Sequence, residues 1–90
     1  MTNLHDHWAQ VGVTLRGLLT STPALPEADR LLILDYLAHN ELGLALEALC
    51  SALKIGAVAI TPPQYEVIVR VQTAMKMSGV AESVSHLVRQ

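Results

Sequence analysis

Leu42, Leu46, Leu49 and Leu53 recur at steps of four, three and four, which places all of them on one face of a helix. Glu41 and Glu47 fall off that stripe. Ahead of it Leu37 and Ala38 close a preceding apolar segment, and His39, Asn40 and Glu41 form a polar knuckle between the two. A continuous leucine face has to be covered by other elements, so this stretch commits the chain to helix-on-helix packing.

The other segments repeat the pattern. Leu4, Trp8, Val11, Leu15, Leu18 and Leu19 give one inward face to a first helix from about Leu4 to Thr20, with Thr2 or Asn3 available as its N-cap. Ser21, Thr22 and Pro23 break it. Pro26 suits the first position of a second helix, and Glu27 and Asp29 complement its positive end. The run 31–34 is apolar on nearly all sides, which suits a central helix or a buried strand, and the acidic start and the spacing of Leu31, Leu34, Leu37 and Ala38 favour the helix. Asn40 is the expected N-cap of the third helix, and Gly56 its expected left-handed end. The apolar stretch 57–60 suits a connection or one short strand. Thr61, Pro62, Pro63 and Gln64 spell a capping box, with Ile60 as outer staple residue. Tyr65, Ile68, Val69, Gln72 and Met75 share a face of the helix that follows, with Val67 and Val71 beside it, and Ser78–Gly79 end it. Val84, Leu87 and Val88 face inward in a fifth helix over 80–88. The expected fold is all-α, a compact bundle of four to five short helices in one domain over residues 1–90.

Hydrophobic residues make up 51% of the chain and charged residues 16%, with no Phe, one Trp and two Tyr. A body of this size cannot bury all of that apolar content, so some is expected at the surface, where a patch marks a partner or a second copy. The formal charge is only −2, but it is unevenly spread. From residue 27 to 53 five carboxylates (Glu27, Asp29, Asp35, Glu41 and Glu47) face one cation, Arg30, and the flanks are mildly basic. A solvated helix face accounts for such a cluster, and so does a patch that steers a basic partner.

Catalytic constellations do not emerge. His5 and His7 are two apart and do not share a helix face, and neither a second His pair nor a Cys pair completes a zinc site. Cys50, the single cysteine, reads as a small buried hydrophobe. A glycine-rich phosphate loop, a His-Glu-x-x-His helix and a nucleophile elbow are all missing. The expectation is no enzyme, no metal and no cofactor. The helix after the knuckle starts with Glu and carries Glu47, so it is not a DNA-recognition helix, and no nucleic-acid binding is expected. Glu47 and Lys54 would each cost about 2.5–3.5 kcal/mol near a bilayer centre, so the stretch 42–60 is not expected to span a membrane. The start of the sequence lacks the basic and apolar regions of a signal peptide, which together with the single cysteine predicts a soluble, cytoplasmic protein.

What remains is protein binding. Tyr36, His39, Asn40, Glu41 and Glu47 gather around one interhelical corner, with Glu27, Asp29 and Asp35 on the adjoining helix. Tyr36 serves equally as a core residue with its hydroxyl at the edge.

The order Leu37, His39, Asn40, Glu41, Leu42, Gly43, Leu44, Ala45, Leu46, Glu47, Leu49, together with the later Ile60, Tyr65 and Ile68, resembles the bacterial MafI-type immunity proteins. These are small helical antidotes to polymorphic and contact-dependent growth-inhibition toxins. The resemblance runs from about residue 31 to 77 and is weaker outside it. It implies a stoichiometric antidote that binds a cognate toxin C-terminal domain, a basic nuclease by class; the charge cluster and the interhelical corner make Glu27, Asp29, Asp35, Tyr36, His39, Asn40, Glu41 and Glu47 the expected contact surface. The competing expectation is a self-associating helical adaptor that forms a homodimer through its excess apolar surface.

Overall fold

The computed structural model describes residues 4–90, and their side chains from residue 7. Four α-helices, α1 (Leu4–Thr20), α2 (Glu27–Ala38), α3 (Leu42–Gly56) and α4 (Pro62–Ala74), are followed by a 3-10 helix, Glu82–Leu87. The fold is all-α, as the periodicity predicts.

Helix α3 is the centre, because it touches all four other elements. Leu42, Leu46, Leu49 and Leu53 are all buried, together with Ala45, Cys50 and Ala52. Val11, Leu15, Leu18 and Leu19 of α1 close over them, with Ile68 and Val71 of α4 and Val84 and Leu87 of the 3-10 helix. The expectation of a central α2 is corrected. Only Ile33 and Leu37 of α2 are buried, whereas Leu31 is 57% and Leu32 46% exposed, and Ala38 is exposed as well. Helix α2 packs chiefly on α3, lightly on α1, and leaves its outer side open.

The helix ends follow a common device. His39 ends α2, Asn40 takes a left-handed φ of 57°, the Glu41 N–H donates to the Tyr36 carbonyl at 2.9 Å, and the Asn40 N–H donates to Leu37 at 3.1 Å. These are the paired bonds of a Schellman turn. Asn40 therefore finishes α2 instead of starting α3, whose N-cap position falls to Glu41 with no side-chain cap bond. The end of α3 repeats the turn one residue later than expected. Ala57, not Gly56, is left-handed (φ 48°), and the Val58 N–H reaches the Leu53 carbonyl at 3.0 Å. Helix α4 stops at Ala74, before Ser78, with Lys76 left-handed (φ 56°) and the Met77 N–H on the Gln72 carbonyl at 3.0 Å. None of the three left-handed residues is glycine.

Pro26 stands at the N-cap of α2, one place before its expected position. The capping box of α4 forms as predicted: the Gln64 N–H donates to Thr61 Oγ1 at 3.2 Å and the Thr61 N–H to Gln64 Oε1 at 2.8 Å. The expected fifth α-helix is a 3-10 turn shorter at both ends. It is held by a single parallel bridge, in which the Ile60 N–H donates to Leu87 at 3.0 Å and the Arg89 N–H to Ile60 at 2.7 Å. Gln72, buried on α4, accepts the Ala81 N–H at 2.7 Å and fixes the other end of this segment. The Thr2 or Asn3 cap lies outside the described residues. Among those residues no helix is long and apolar enough to cross a membrane.

Candidate functional site

The residues singled out from the sequence lie along the α2–α3 hairpin, but not at one corner. On α2, Glu27 and Asp35 are exposed, whereas Asp29 is half-buried. Tyr36 is also half-buried and packs against the core. At the knuckle, His39, Asn40 and Glu41 are all exposed. His39 Nδ1 lies 2.8 Å from the Asp35 carbonyl and 3.5 Å from its carboxylate, the only ion pair among the described residues. The carbonyl contact, then the Asp35 charge and more weakly that of Glu41 raise the His39 pKa above its ordinary value, against a small opposing effect of desolvation.

Glu47 stands apart from the knuckle. It opens instead on a cleft of about 340 Å³ shared with Ser51, Lys54, Gly79, Val80 and Ser83. Asn40 turns toward a different hollow, with Trp8, Leu42 and Met75. The hairpin is thus an extended acidic surface, about three helix turns long on the α2 side of the knuckle and under two on the α3 side, and not a pocket.

Arg30 has a role that the charge pattern does not reveal. Its guanidinium donates to the Leu19 carbonyl at 2.8 Å and the Thr22 carbonyl at 2.7 Å, capping the end of α1. A cation at a helix C-terminus is favourable. The one arginine between residues 27 and 53 is therefore directed into the neighbouring helix end, and Glu27, Asp35, Glu41 and Glu47 are exposed, with His39 beside Asp35 and Lys54 lining the same cleft as Glu47. Beside them Leu31, Leu32 and Leu44 are each about half exposed (46–57%).

Cys50 is buried, and burial pushes its thiol up to about 11, only weakly opposed by the charge of Lys54. A thiol held that far above neutrality carries almost no thiolate and is inert. Among the described residues no cluster of His, Cys, Asp or Glu has the arrangement to hold a metal ion.

A second surface feature was not legible in the sequence. The seam between α1 and α4 carries three adjoining hollows, the first two sharing Thr14 and the last two His7 and Ala74, which together make a shallow groove. One end is closed by Gln64, whose Nε2 donates to the Ser21 carbonyl and to Ser21 Oγ, both at 3.0 Å. From there the groove runs past Thr14 and Val67, then Arg70 and Ala74, to His7 and Trp8, which meet edge to face at 4.7 Å. The hollow between Trp8, Met75 and Lys76 holds about 470 Å³.

Comparison of the chain with protein-family models, with curated proteins and with solved structures finds no match in any of the three.

Proposed function

We propose that the chain is an immunity protein, binding the C-terminal domain of a cognate secreted bacterial toxin one to one and neutralising it through the α2–α3 hairpin. The observation that supports this most is the row of exposed carboxylates Glu27, Asp35, Glu41 and Glu47 on a hairpin whose only arginine is consumed in capping α1. The resemblance of the segment 37–49 to MafI-type antidotes supplies the toxin partner.

A nuclease gathers cationic side chains to hold phosphates, so its substrate path is where an acidic surface binds fastest. The exposed Leu31, Leu32 and Leu44 would then supply the apolar contact that keeps the complex together once formed. Inhibition in this reading is occlusion, with no chemistry performed by the antidote, in the reducing interior of the cell that makes both proteins.

The test is coexpression with the toxin tail encoded immediately upstream, followed by copurification. Survival of the cells with a stable complex supports the reading, and toxicity without rescue or complex removes it for that toxin. The double variant Glu41→Lys, Glu47→Lys locates the surface. Neither carboxylate makes a hydrogen bond to the described residues, so the melting temperature should change little while toxin binding weakens at least about tenfold. Unchanged binding by that variant moves the interface away from the knuckle.

A further inference from the structure

The groove along α1 and α4 plays no part in the antidote reading, and its chemistry is complementary to a surface this chain itself carries. Its floor is apolar: Val11, Leu18 and Val71 are buried, and Val67 and Ala74 are half-buried. Its formal charges are Arg70 in the middle and Lys76 at the Trp8 end, with His7 between them, and among the described residues no carboxylate lines it.

The outer side of α2 is the converse. Ala28, Leu31, Leu32 and Asp35 are all exposed and occupy positions i, i+3, i+4 and i+7. That spacing is the one by which an amphipathic helix inserts into an apolar groove. Glu27 and Asp35 bracket the apolar residues. A helix whose second apolar strip faces solvent is incompletely covered, and within its own molecule α2 already packs on α3 with this strip turned outward.

We propose that the α1–α4 groove receives the outer face of α2 from a second copy of this chain. The dimensions agree. Helix α2 has 12 residues, about 18 Å, and the groove follows α1 from Ser21 back to His7, about 21 Å. Glu27 and Asp35 are about 12 Å apart along α2, and the groove carries Arg70 midway and Lys76 just past the end of α4, so the two surfaces are of opposite sign when Leu31 and Leu32 lie on the floor. The donor strip and the receiving groove are different surfaces, so the contact is heterologous, and copies add head to tail until a ring closes. This inference does not rest on the antidote reading, because it concerns the chain alone. The two share Glu27 and Asp35, so a bound toxin and a second copy would exclude each other.

The test is sedimentation velocity of the purified chain from micromolar to millimolar concentration, without toxin. The sedimentation coefficient should rise with concentration, and the rise should shrink in high salt. Arg70→Glu with Lys76→Glu should weaken association at least about tenfold, and so should Glu27→Lys with Asp35→Lys. Each variant alone should stay monomeric where the natural chain associates, and an equal mixture of the two should associate again. Leu31→Lys, at an exposed position, tests the apolar part independently should either double variant fail to fold. A natural chain that is monomeric throughout overturns the proposal. So does association that survives the variants, or a mixture of folded variants that stays monomeric.

Discussion

Replacing Gln72 by leucine isolates the cost of one buried hydrogen bond. Gln72 is buried on α4, and its Oε1 accepts the N–H of Ala81 at 2.7 Å, a residue with no exposed surface. Its Nε2 makes a longer contact of 3.4 Å to Glu82 Oε1 at the edge. Leucine is of similar volume, so packing is nearly conserved and the loss is polar. The Ala81 N–H is left in an apolar site without an acceptor, which costs about 1–3 kcal/mol. Each kcal/mol lowers the melting temperature of a domain this size by about 4–8 °C, so a central loss of about 2 kcal/mol predicts a fall of about 8–16 °C. Circular dichroism at 222 nm would read it, and hydrogen exchange would show Ala81 losing its protection. Gln72→Glu keeps an acceptor but sets a second carboxylate beside Glu82. It should be destabilised at neutral pH and recover as the pH falls and one carboxyl takes up a proton. A Gln72→Leu protein melting within about 2 °C of the natural one would refute the assignment of Gln72 as the clamp of the 3-10 segment.

Arg30→Met keeps the apolar stem but removes both bonds to the Leu19 and Thr22 carbonyls. With the guanidinium half-exposed, we expect a loss of about 1–2 kcal/mol in urea unfolding, and Arg30→Lys should recover less than half of it. Ala57→Gly and Lys76→Gly should each stabilise by about 0.5–1 kcal/mol, because a left-handed φ costs a side chain more than glycine loses through its freer unfolded state. A lower denaturation midpoint in either would contradict the left-handed assignment. His39 should titrate above 6.5 by NMR, and Asp35→Asn should lower its midpoint. Because its folded pKa is raised, the stability it contributes is complete below the unfolded pKa and disappears as the pH rises through the folded one.

Local chemistry was readable where one residue type has one use. Thr61, Pro62 and Gln64 admit little besides a helix start, and the leucines of α3 admit little besides a core. Asn40 is ambiguous in the sequence because asparagine suits both an N-cap and a left-handed turn, and the choice is made by the Glu41 N–H binding back to Tyr36. For helix α2, an all-round apolar run says what wants to be buried and not how many neighbours are there to bury it. Only one helix covers it extensively, so Leu31 and Leu32 face out. The carboxylates were visible as a cluster, but their division between the knuckle and the Glu47 cleft depends on how α3 rotates against the 3-10 segment. The groove is not legible in the sequence because Gln10, Thr14 and Gly17 fall outside the apolar face of α1. It exists only where α4 is laid alongside.

The three helix ends closed without glycine have a consequence for how this sequence can change over generations. The chain stands below the stability that its own backbone would permit, and at positions 57 and 76 the shortfall lies away from the acidic face. A surface that follows a changing partner accumulates substitutions, most of which cost about 0.5–3 kcal/mol. One change to glycine at position 57 or 76 would offset a mild substitution elsewhere without altering a residue of the acidic face. The tight turns that look like unrelieved strain are also the places where the lineage has room to move.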